Sequence, residues 1–157
     1  YTSALYSNGV AMGMSGYGGS TIAVKLGGTG DITKDRLWFQ KSPANQRVGS
    51  GIIVGNYVYI VDENAIPRCY DLKTGKNQWE SAERLKSLTW GSMIHADGRL
   101  YILMRNGDTV VLAASPKYEV IAVNALPGEQ TNSSLAVSDG EIFVRTFKNL
   151  YCISRKK

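Results

Sequence analysis

Four short segments of this 157-residue chain align with one another, and their spacing restricts what the chain can fold into. They are Thr2 to Met12, Gly49 to Tyr59, Gly91 to Tyr101 and Ser133 to Phe143, anchored on Ser3, Ser50, Ser92 and Ser134. The serines follow one another at intervals of 47, 42 and 42 residues. Each segment carries a two-residue turn at the same place: Asn8-Gly9, Gly55-Asn56, Asp97-Gly98 and Asp139-Gly140. These residues tolerate the positive φ that a type I′ hairpin turn demands. The flanking runs, such as Ile52-Ile53-Val54 against Tyr57-Val58-Tyr59-Ile60-Val61, are apolar at successive positions. Strands buried on both faces have that pattern. A period in the low forties is that of a four-stranded propeller blade, one sheet wedged against the next.

A second hairpin follows in three of the repeats. Ile22-Ala23-Val24 leads to Leu37-Trp38-Phe39, Arg68-Cys69-Tyr70 to Gln78-Trp79, and Thr109 to Ala113 leads to Glu119 to Val123. Trp38, Trp79 and Ile121 recur at intervals of 41 and 42 and so share one repeat position. The turn expanded by Gly27 to Asp35 helps account for the longer first interval. The fourth repeat has Asn149 to Ile153 and then stops. The expected fold is therefore all-β: a β-propeller fragment of about four blades of four antiparallel strands, the last blade missing its outer strand. Fifteen strands are predicted. They form a single partial domain over 1–157, with repeats at approximately 1–41, 48–80, 90–124 and 132–155. Helical signals are weak, and the charged stretch from Lys76 to Lys86 reads as loop.

Composition excludes several classes. Hydrophobic content of 43% and charged content of 20% describe a globular chain. No apolar run approaches the roughly 20 residues of a membrane span. No signal peptide is read, because Tyr1-Thr2-Ser3 opens directly into strand-like sequence, which suits a mature, trimmed or excised piece. The net charge is +5, but the cations are scattered, apart from Arg155-Lys156-Lys157. Nucleic acid is therefore not an expected partner. Cys69 and Cys152 are too few for a disulfide scaffold and fit no zinc spacing.

Cys69-Tyr70-Asp71-Leu72-Lys73-Thr74-Gly75-Lys76-Asn77-Gln78-Trp79 resembles the blade signature of propellers built from pyrroloquinoline-quinone-type repeats, Ala-x-Asp-x-x-Thr-Gly-Lys-x-x-Trp. The matching positions are Asp71, Thr74, Gly75, Lys76 and Trp79, with Cys69 in place of Ala. Trp38 keeps the tryptophan in the first repeat, while the third has Ile121 there. The resemblance spans nearly the whole chain. It implies about seven or eight blades in the full ring, of which this chain is the C-terminal half. It also implies an exported protein, periplasmic or secreted, whose last blade is often completed by an N-terminal strand. Four blades leave two sheet faces and a strand edge open. The expected partner is thus the missing propeller half or a second copy of the chain.

Some such propellers are quinone-dependent dehydrogenases, which hold a quinone, a calcium ion and a catalytic aspartate near the axis. Some present adjacent cysteines, and this chain has no Cys-Cys pair. No cofactor, metal or catalytic residue is expected. Asp62 and Glu63 read as a solvated loop pair, and His95, the lone histidine, as a satisfied structural residue. Asp71 is expected to bond the backbone of its own turn. Cys69 and Cys152 read as buried free thiols, two blades apart. Trp38 and Trp79 read as wedges between neighbouring blades. Trp90 lies two residues before Ser92, at one mouth of the channel if first strands line it. Together with Arg47, Arg105 and Arg145 it forms a candidate rim for a protein, peptide or glycan partner. The leading function is a non-catalytic binding scaffold. The alternative is an enzyme fragment whose quinone site is completed by residues outside the chain.

Overall fold

The computed structural model describes residues 2–41 and 46–154. Tyr1, residues 42–45 and the basic run Arg155-Lys156-Lys157 lie outside the described residues. Blade one comprises β1 (Leu5–Ser7), β2 (Val10–Met14), β3 (Ser20–Lys25) and β4 (Arg36–Lys41). Blade two comprises β5 (Ile52–Val54), β6 (Tyr57–Val61), β7 (Pro67–Asp71) and β8 (Asn77–Glu80). Blade three comprises β9 (Ile94–Ala96), β10 (Arg99–Leu103), β11 (Thr109–Ala113) and β12 (Val120–Asn124). Blade four has only β13 (Ala136–Ser138), β14 (Glu141–Arg145) and β15 (Leu150–Ile153). Among the described residues these are the fifteen predicted strands. Each sheet is an antiparallel meander. The expanded loop of blade one carries a short 3-10 turn at Thr33–Asp35 that sequence reasoning did not anticipate.

The first hairpins turn as their residues dictate, with one variation. Asn8, Asp97 and Asp139 sit at φ of 50°, 49° and 51°, each followed by a glycine also at positive φ, the type I′ pattern. In blade two only Gly55 is positive, at 59°, which is the type II′ arrangement that a leading glycine favours. The reversed Gly55-Asn56 order is thus a different turn and not a degraded copy.

Packing lies between sheets, never within one. Val10, Met12, Ala23 and Trp38 of blade one meet Val58, Ile60, Tyr70 and Leu72 of blade two. The opposite face of blade two, Tyr59, Val61 and Cys69, meets Leu100, Ile102, Val110 and Leu112 of blade three. Leu103 of blade three then packs with Leu135 and Val144 of blade four. Alternate residues of β6 therefore serve two different cores, which is why its sequence is apolar throughout.

Two devices lock each sheet to the next. Near the axis, where β1 touches β5 and β5 touches β9, the anchoring serines form a ladder. Ser3 N–H donates to Ser50 Oγ at 2.9 Å, Ser50 N–H to Ser92 Oγ at 3.0 Å, and Ser92 N–H to Ser134 Oγ at 2.8 Å. The repeat interval is thus the step from one blade to the next. Further out, Trp38 Nε1 donates to the Leu72 carbonyl at 2.8 Å, and Gln40 Nε2 to the Gly75 carbonyl at 2.7 Å. Gly75 has no side chain because a Cβ there would lie 2.7 Å from Trp38 Cδ2. Trp79 Nε1 likewise donates to the Ser115 carbonyl at 3.0 Å, its ring 5.1 Å from that of Tyr118. Ile121, at the same repeat position, is 45% exposed, and blade four presents no equivalent turn among the described residues.

Trp38→Phe should retain the apolar contact but orphan the Leu72 carbonyl. A loss of about 1–2 kcal/mol is expected in urea melts, and a smaller one for Trp79→Phe, whose ring is less buried.

Candidate functional site

The channel mouth is built from the loops that enter each first strand and the turns that join second to third strands. Three of these turns are closed in the same way. In blade two, Asp62 Oδ1 accepts from Asn64 N–H and Ile66 N–H, both at 2.9 Å, while Oδ2 takes Arg68 Nε at 3.0 Å. Ser15 accepts from Ser20 N–H at 2.6 Å in blade one, and Thr146 Oγ1 from Asn149 N–H at 2.9 Å in blade four. One polar side chain at this position closes the turn in these three blades. Blade three has Met104 there and closes its turn through the backbone, Met104 N–H donating to the Asp108 carbonyl at 2.8 Å and Gly107 N–H to the Met104 carbonyl at 3.0 Å.

That corrects the expectation of a solvated Asp62. The residue is 3% exposed, and its carboxylate is paired with Arg68 and bonded to its own turn. Glu63 is half-buried beside it. His95 lies on β9 and is exposed. Among the described residues no group of three or more His, Cys, Asp or Glu is placed to hold a metal ion. The Asp62 carboxylate is already paired with Arg68 at 3.0 Å.

The motif residues perform local work. Asp71 Oδ1 accepts from Lys73 N–H at 3.1 Å, Thr74 N–H at 2.8 Å and Thr74 Oγ1 at 2.8 Å. Burial raises the Asp71 pKa, but the Thr74 and Lys73 bonds outweigh it and hold the carboxyl below its ordinary value. A depressed folded-state pKa contributes stability that is present above the unfolded value, near 3.8, and lost as pH falls through the folded one. Asp71→Ala should therefore cost stability at neutral pH and flatten the acid limb of a stability–pH curve below about pH 4. An unchanged acid limb would contradict this role.

Burial pushes the Cys69 thiol up to about 12, so it is an inert small hydrophobe. Cys152 departs from the expectation of a buried thiol. Both cysteines are free, but Cys152 is exposed on β15. It occupies the slot that a following blade would cover, and none follows within the described residues.

The rim residues fall into two groups. Arg105 lies over the Trp90 ring, 4.1 Å from its centroid, and Nε donates to Asn132 Oδ1 of the blade-four entry loop at 3.1 Å. Arg47 instead lies over Tyr17, 4.5 Å from the ring centroid. Arg47 and Trp90 still line one narrow cleft together with Val61, Asp62, Glu63 and Thr89, with room for about 30 Å³. Arg145 stands apart at the end of β14, its side chain exposed and its carbonyl accepting from Thr131 Oγ1 at 2.6 Å and Ser133 Oγ at 2.7 Å. Sequence reasoning missed Tyr17, Asn132 as the Arg105 tether, and Phe147. Tyr17 and Phe147 lie in second-to-third-strand turns, and superposing those turns would have placed both on the mouth.

Residues 68–156 match the family model described as outer membrane protein assembly factor BamB. The chain belongs to that family. Among solved structures, BamB from Moraxella catarrhalis superposes on 98% of this chain with a TM-score of 0.77 and 13% identity. This BamB-family chain covers 46% of that structure. Quinohemoprotein alcohol dehydrogenase from Comamonas testosteroni matches 92% of the chain at TM-score 0.68 and 12% identity, over 28% of its own length. At such identities these likenesses establish the propeller fold and nothing finer. An uncharacterized protein, RP232, of Rickettsia prowazekii (strain Madrid E) is 27% identical over 114 residues, 70% of this chain and 27% of that protein. The chain therefore spans less than half of these longer relatives. No helix among the described residues is long and apolar enough to cross a membrane.

Proposed function

We propose that the chain is part of a non-catalytic BamB-like propeller that works in the periplasm or at the outer membrane and holds a protein partner at its channel mouth. The observation that carries this is the rim itself. Arg47 and Arg105 are each stacked on an aromatic ring, and neither they nor Arg145 forms an ion pair among the described residues. Arginine and aromatic residues on a rigid support are the side chains that dominate protein–protein binding energy. The engagement of Asp62 by Arg68 also favours a scaffold over a quinone enzyme.

The test is a photo-crosslinking residue at position 90 of the full-length protein in its host. Crosslinks to an outer-membrane assembly component, lost in Arg105→Glu, are expected. Trp90→Ala should weaken the partner while leaving the melting profile intact. Identical crosslinks from Lys117, outside the mouth, would contradict a specific docking site.

A further inference from the structure

The mouth does not present its arginines uniformly, and the difference points to a ligand class. The Arg105 guanidinium is fixed from two sides, by the Trp90 ring beneath it and by Asn132 at Nε. Both contacts leave its two Nη groups without an acceptor among the described residues. In front of it opens a cavity of about 250 Å³ whose walls include Asn106, Gln130, Asn132 and Phe147. This runs past Phe147, 57% exposed, into a second cavity of about 330 Å³ bordered by Arg145. Two nearby acids are oriented by neutral donors and form no ion pair with the rim arginines among the described residues. Asp108 accepts from Asn106 Nδ2 at 2.9 Å, and Glu129 accepts from the Tyr151 hydroxyl at 2.6 Å and Asn149 Nδ2 at 2.7 Å.

We propose that this groove between blades three and four binds an extended acidic protein segment. It would place a carboxylate against the Nη groups of Arg105, an apolar side chain on Phe147 and a second carboxylate at Arg145. The proposal rests on the scaffold reading above and narrows it. An immobilised guanidinium loses little freedom on forming the two parallel bonds a carboxylate offers.

The probe is a soluble Gly/Ser peptide of about twelve residues with an Asp-Phe-Asp core, compared with its Asn-Phe-Asn counterpart and with inorganic phosphate. Affinity is read by titration calorimetry for every variant, and in the wild-type protein the Nε–Hε NMR signal of Arg105 reports contact at that residue. The Asp peptide should shift that signal, and affinity should fall roughly tenfold for the Asn peptide and for Arg105→Gln. Lys117→Gln, outside the mouth, should leave the affinity unchanged. Equal binding of both peptides, or a phosphate shift that matches the peptide's, would overturn the acidic-segment site. Failure of both peptides while the position-90 crosslinks persist would sink this inference alone. Loss of the crosslinks as well would remove the scaffold reading with it.

Discussion

A single methyl group added at Gly91 is expected to destabilise the fold by at least about 3 kcal/mol, far more than its size suggests. The Cβ would lie 2.1 Å from the Ser133 carbonyl oxygen, 2.9 Å from its carbon and 3.0 Å from Ser134 Cα. All three are backbone atoms, so no rotamer change relieves the overlap. Blades three and four would have to part at the axis, breaking the 2.8 Å bond from Ser92 N–H to Ser134 Oγ. Gly91 does not hold a positive φ, so the effect is steric and not conformational. Gly98→Ala is the control. It meets nothing within 4 Å, and at φ 69° it should cost about 1 kcal/mol. Gly49→Ala should behave like Gly91→Ala, its Cβ falling 2.0 Å from the Gly91 carbonyl oxygen. Urea melts in which Gly91→Ala and Gly98→Ala coincide would refute close backbone docking at the axis.

Alone in solution, the chain is expected to leave the 17.1 kDa monomer state and pair with a second copy. Its two end faces are the two halves of the junction already repeated inside it. One end carries exposed Tyr6, Leu37 and Phe39, and the other exposed Leu150 and Cys152 on β15. The serine ladder also ends in complementary groups, an acceptor at Ser3 Oγ and a donor at Ser134 N–H. Superposition onto 46% of the BamB chain gives the arc nearly half a ring, so two arcs can close. The apolar surface left open by an unclosed arc makes a free monomer unfavourable at roughly 25 cal/mol per Å². Light scattering should report twice the monomer mass, and Phe39→Arg combined with Leu150→Arg should restore the monomer. A wild-type chain that stays monomeric at high concentration would contradict this.

The architecture was legible because the physics that sets it is local and repeated. Turn residues, apolar runs and the 42-residue step all write themselves into sequence at each blade, and the Trp38 and Trp79 positions follow from the same step. The mouth was less legible because it is built where the repeats differ. Arg47 and Arg105 look alike in sequence, yet one is stacked on Tyr17 and the other on Trp90. Only the fold decides which loop each reaches. Asp62 misled for a related reason. An acidic pair beside a strand end reads as solvated, unless one sees that Arg68, six residues on, returns along β7 to meet it. His95 could not be placed from its lone occurrence, because facing is set by register against β10, where it stands opposite Leu100.

The most direct test of radial stacking is amide hydrogen exchange at Ser3, Ser50 and Ser92. These three N–H groups bond only across blade junctions, each to the serine hydroxyl of the next sheet. Stacked blades predict that all three exchange more slowly than an unbonded loop amide, the part-buried Ser50 most of all. Exchange as fast as at the exposed loop residue Lys86 would mean that the four sheets do not share an axis.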